Sequence, residues 1–171
     1  MVRRSVDRVE FAAEAPRAVL WAMDRLTGAL DGWINFLPGL AEGAEVDAEG
    51  PGLFPMLSPR HPGVTMGTWF PPRGGRRPRA EQVVGVTHSA GAKVVAGLTE
   101  AGLGLPADWR VVQDHPRRGL IVAAPGHAPH DRVLDYTLSV TATLCVLPLT
   151  GTWQAEIHQP LVPGGRPAPE P

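Results

Sequence analysis

Apolar and polar positions change rhythm several times along this chain, and each change marks a predicted element boundary. Val6 to Phe11 alternates and predicts a first strand. Pro16, preceded by Glu14, stands where a helix can begin, and Val19, Leu20, Met23, Leu26 and Leu30 recur at helical spacing. Gly28 and Gly32 bracket its expected end. Trp33 to Leu37 reads as a short strand that Pro38 and Gly39 stop. From 38 to 63 the pattern dissolves into Gly, Pro and the acidic Glu42, Glu45, Asp47 and Glu49, which predicts a mobile loop. Val64 to Phe70 predicts another strand, and 71–80 reads as a basic linker carrying Arg73, Arg76, Arg77 and Arg79.

The rhythm sharpens in the second half. Glu81 to His88 predicts a strand, and Ser89 caps an expected helix running to Gly102 with Val94, Val95, Leu98 and Ala101 on one side. Trp109 to His115 and Leu120 to Ala124 read as two strands joined by a turn at Pro116–Gly119. A helix is expected from near His130, with Pro129 in its first turn and Asp131 and Asp135 at the positive end of its dipole. Thr137 to Val146 also alternates with period two, a strand signature, but the helix start signals outweigh it. Thr152 to His158 predicts the last strand.

This order predicts an α+β fold: a ferredoxin-like βαββαβ unit over about 80–160, preceded by an N-terminal β-α-β extension packed on it. One domain is expected over residues 1–158, followed by a Pro/Gly-rich disordered tail at 159–171. A chain of 171 residues with 43% apolar and 19% charged residues suits one domain with its own core. Gly (20) and Pro (19) are numerous, so short elements and much loop are expected.

The formal charge of −1 argues against a surface that grips nucleic acid or anionic membrane throughout. The chain has no apolar run long enough to span a bilayer, and Asp7, Arg8 and Glu10 interrupt any signal-peptide core. Cys145 is the only cysteine, which excludes an intrachain disulfide and points to the cytoplasm. Cys145 itself reads as a small buried hydrophobe. The tryptophans Trp21, Trp33, Trp109 and Trp153 all read as core residues.

In the usual ferredoxin-like sheet order, 4-1-3-2, the end of the first strand, the first helix start and the hairpin turn share one edge. That edge would gather His88, Ser89, His115, Arg117 and Arg118 into an anion-binding site. His127, His130, Asp131 and His158 could bind a metal by chemistry, but their spacing matches no zinc motif, so neither metal nor cofactor is expected.

Ser89 sits on a strand-to-helix turn, yet Thr87 occupies the glycine position of a nucleophile elbow. Gly85 to Lys93 fails the phosphate-loop spacing as well. The leading expectation is therefore a non-enzymatic or regulatory binding domain for a small anionic molecule or a partner protein, with homodimer formation through the sheet. The alternatives are a small enzyme using histidine as acid or base, and RNA contact through Arg73–Arg79.

Overall fold

The computed structural model describes residues 4–44, 65–75 and 78–160. Most of the expected 38–63 loop and nearly all of the expected tail lie outside the described residues. In chain order the elements are β1 (Arg4–Ala12), α1 (Arg17–Ala29), β2 (Trp33–Leu40), β3 (Met66–Phe70) and β4 (Gln82–Thr87). Then come α2 (Val94–Glu100), β5 (Arg110–His115), β6 (Gly119–Ala124), α3 (His130–Leu144) and β7 (Leu149–Pro160). Among the described residues the seven strands form one antiparallel sheet of order β1-β7-β2-β3-β4-β6-β5. No described helix is long and apolar enough to cross a membrane.

The mixed α+β class is therefore observed, with a different sheet order from the expected one. Strands β4, β6 and β5 lie side by side as the first, third and second strands of a ferredoxin-like unit do. The final strand, β7, was expected beside β4, but β2 and β3 stand between them. The N-terminal β-α-β is thus no layer packed on the second half. It is woven into the same sheet, because β7 is long enough to pair with β1 over its whole length and with β2 on its other edge.

Several expected boundaries move for local reasons. Pro38 and Gly39 do not stop β2; the strand bends through an irregularity between Pro38 and Leu40 and continues. The 71–80 stretch is no open linker, because Arg73 and Arg79 exchange backbone hydrogen bonds of 2.8 Å and close a hairpin between β3 and β4. Leu30 leaves the core stripe of α1 at a left-handed φ of 52° and is exposed.

Side chains on one sheet face meet α1 and α3 in a single core that includes Ile34, Phe36, Trp69, Val84, Leu120 and Ile157. On α1 the buried stripe is Val19, Ala22, Met23 and Leu26. The segment 137–144, which alternates like a strand, is helical in α3. Its Thr137 and Thr141 are buried against the sheet because Gly67 of β3 leaves room for them. A Cβ at position 67 would come within 2.7 Å of Thr141 Oγ1 and 2.9 Å of Thr137 Cγ2. Helix and strand approach that closely only over glycine.

One buried amide fixes where α3 begins. Trp69 Nε1–H donates to Gln82 Oε1 at 2.8 Å, and Gln82 Nε2 donates to the Ala128 carbonyl at 2.8 Å. Gln82 is fully buried, so both ends of its amide replace water that the core excludes. At the first residue of α3, His130 Nδ1 pairs with Asp24 at 2.7 Å and Nε2 with the Thr27 hydroxyl at 3.1 Å. This clamp ties α1 to α3.

Replacing Gln82 by leucine leaves the Trp69 N–H and the Ala128 carbonyl unpaired. At about 1–3 kcal/mol for each of the two orphaned groups, Gln82→Leu should cost roughly 2–6 kcal/mol in urea denaturation. A cost below about 1 kcal/mol would show that this amide does not hold the α3 start.

Candidate functional site

The strand ends of β4, β6 and β5 carry the expected site residues. After β4 the chain turns through Gly91 (φ 86°) and Lys93 (φ 63°) before α2 begins at Val94. The cap expected at Ser89 is thus displaced by four residues to Lys93, since left-handed residues cannot lie inside a right-handed helix. Ser89 is exposed and caps nothing. The side chain that reaches the start of α2 is Asp114 of β5, whose Oδ2 accepts the Val95 N–H at 3.3 Å.

At the β5–β6 turn, His115 Nδ1 accepts the backbone N–H groups of Arg117 and Arg118 at 3.1 and 3.2 Å. This ring therefore organises the hairpin tip, and it leaves both guanidinium groups exposed. Gly119 closes the turn at φ 82°, with its Cα so near the Val86 carbonyl that a Cβ would not fit.

His88 lies just beyond β4, close enough to Asp114 to feel its charge. Both ring nitrogens of His88 and Oδ1 of Asp114 are out of solvent and have no hydrogen-bond partner among the described residues. Burial lowers the His88 pKa from its ordinary value, and the Asp114 carboxylate opposes that shift only in part. The imidazole is thus held neutral, offering one donor and one acceptor beside a carboxylate oxygen.

In the sequence Asp114 stands only as a conceivable Ser-His-acid partner of Ser89 and His115, which no spacing demands. It pairs in register with Leu120, whose side chain faces the core, and that register exists only in the folded sheet.

The other titratable groups disperse. His127 is exposed, and His130 is committed to Asp24 and Thr27. Asp131 Oδ1 accepts the Arg132 N–H, while His158 stacks on Trp33 with ring centroids 4.5 Å apart. Among the described residues no three His, Cys, Asp or Glu side chains converge as a metal site. The guanidinium of Arg79, part of the basic stretch, donates to the Pro71 and Glu81 carbonyls at 2.7 and 3.0 Å.

A groove of about 530 Å³ opens elsewhere, between the β1–α1 turn, one flank of α3 and the start of β7. Its floor includes Leu134, Leu138 and Trp153, and Glu14, Asp131 and Asp135 stand round it. Trp153 and Trp109 are core residues as expected, whereas Trp21 is 58% exposed. The core stripe of α1 faces the sheet, and Trp21 lies on the opposite side of the helix.

Comparison with protein-family models, with curated proteins and with solved structures finds no match.

The direction of the His88 shift gives a signed expectation. Its folded pKa lies below the unfolded one, so the unfolded chain binds the extra proton first as pH falls. Stability should be lost as pH drops from the ordinary imidazole range toward the lowered folded pKa. In His88→Gln that loss should be smaller, as thermal melts between pH 7 and pH 5 will show. Identical acid profiles for the two proteins would contradict a buried neutral His88.

Proposed function

We propose that this chain is a binding protein for a small hydroxylated acid, carboxylic or phosphoric, received at the strand ends of β4 and β5. The observation that carries this reading is the trio of buried, unpartnered polar atoms on His88 and Asp114. Each such group costs about 1–3 kcal/mol when nothing pairs with it, so folded proteins keep few of them without a reason.

The chemistry of the trio is selective. A hydroxyl of the ligand can donate to Asp114 Oδ1 and at the same time accept from the neutral His88 ring. An anionic group would reach outward to the exposed Arg117 and Arg118, which His115 presents by fixing the turn. The start of α2 is already occupied by the Asp114 carboxylate, so the arginines are the anion contact and the helix end is not.

As part of the same proposal, residues from β4 to β7 form a ferredoxin-like unit opened by the inserted β2–β3 pair. The neighbouring order of β4, β6 and β5 supports it. A second reading has support from the His88–Asp114 adjacency: an enzyme in which His88 is a general base oriented by the carboxylate.

Thermal-shift titration of wild type, His88→Ala and Arg117→Ala/Arg118→Ala tests the proposal, using phosphate, hydroxy acids, nucleotides and a short RNA as probes. One class of anion, at 100 times its Kd, should stabilise the wild type by about 2.7 kcal/mol, and both variants should lose that gain. No stabilisation by any class, or a gain that survives both variants, contradicts the reading. Conversion of the stabilising compound, abolished in His88→Ala, would select the enzyme reading.

A further inference from the structure

The apolar groove and the outer face of α1 carry opposite charges around an apolar centre. On α1, Arg17, Trp21 and Arg25 recur at i, i+4 and i+8, so they form one exposed stripe. Trp21 is the largest exposed apolar side chain among the described residues, and the Arg25 guanidinium lies 4.8 Å from its ring centroid. The groove has the opposite character. Its floor includes Leu134, Leu138 and Trp153, while Glu14, Asp131 and Asp135 stand round it without a salt bridge to any described cation.

We infer that a second copy of this chain fills the groove, its Trp21 seated on the apolar floor and its Arg17 and Arg25 against the three carboxylates. The groove runs from the β1–α1 turn to α3 and β7, and the stripe lies on α1, which follows that turn. Pro16 lines the groove and Trp21 follows it by five residues, about 7.5 Å along the helix axis. A two-fold axis passing between groove and stripe therefore lets each Trp21 reach the other copy's groove, an isologous contact that closes at two chains. Tryptophan and arginine are the side chains that most often carry the energy of such interfaces. The groove volume, about 530 Å³, leaves room for an indole and the adjoining guanidinium groups.

This inference is independent of the strand-end site and survives if that site takes no ligand. Sedimentation equilibrium on the full chain tests it. The wild type should show about twice the 18.2 kDa chain mass at tens of micromolar. Trp21→Ala and Asp135→Arg should each weaken association about tenfold or more. The combined Arg25→Glu/Asp135→Arg chain should recover it, because the charges are exchanged across the contact. Trp21 and Asp135 are exposed, and unchanged circular dichroism melts confirm that the variants fold. A wild type that stays monomeric at these concentrations overturns the inference. So does a dimer that Trp21→Ala leaves intact, or charge reversal that fails to restore Asp135→Arg.

Discussion

The fully buried amide of Gln82 is the contact on which the arrangement of both helices rests. Its oxygen takes the indole N–H of Trp69, and its nitrogen holds the carbonyl of Ala128 just before α3. In a core that excludes water, neither partner has another donor or acceptor of that quality. The amide thus sets the height and position at which α3 enters the helical layer. From there His130 reaches Asp24 and Thr27 and draws α1 into place. Gly67 completes the fit by letting Thr137 and Thr141 settle onto β3. The groove beside α3 is a consequence of that placement.

The strand ends of β4 and β5 follow a different logic. Here the helix is α2, only seven residues long, entered through left-handed backbone and burying only Val94 and Leu98. A short helix with two buried anchors opens more readily than the α1–α3 layer. The unpaired polar atoms of His88 and Asp114 lie beside this less regular element. The α1–α3 layer and the short α2 are therefore unequal supports for one sheet.

The sequence was most legible where one period dominated. The stripe of α1, the alternation of β4 and the start signals of α3 each led to elements that the structure contains. In α3 the alternation of 137–146 suggests a strand, but the helix start signals outweigh it and the segment is helical, with Thr137 and Thr141 small enough to sit against Gly67. Sheet order was not legible. Whether β7 lies beside β4 or beside β2 depends on long-range pairing, and no local residue records it.

The capping role assigned to Ser89 failed for a related reason. The left-handed turn at Gly91 and Lys93 separates serine from helix, and a glycine alone does not announce which residues follow it into that region. Asp114, the acid that does meet α2, becomes meaningful only once the register with Leu120 is known.

Buried beside Asp114 with its pKa lowered, the His88 imidazole is expected to be uncharged and not half of a closed ion pair. Long-range ¹H–¹⁵N correlation of the His88 ring at pH 7 in the ligand-free protein tests it most directly. A neutral ring in a single tautomer, with one protonated and one bare nitrogen, is the predicted result. Two protonated ring nitrogens at that pH would make the pair an imidazolium–carboxylate bridge and contradict the account.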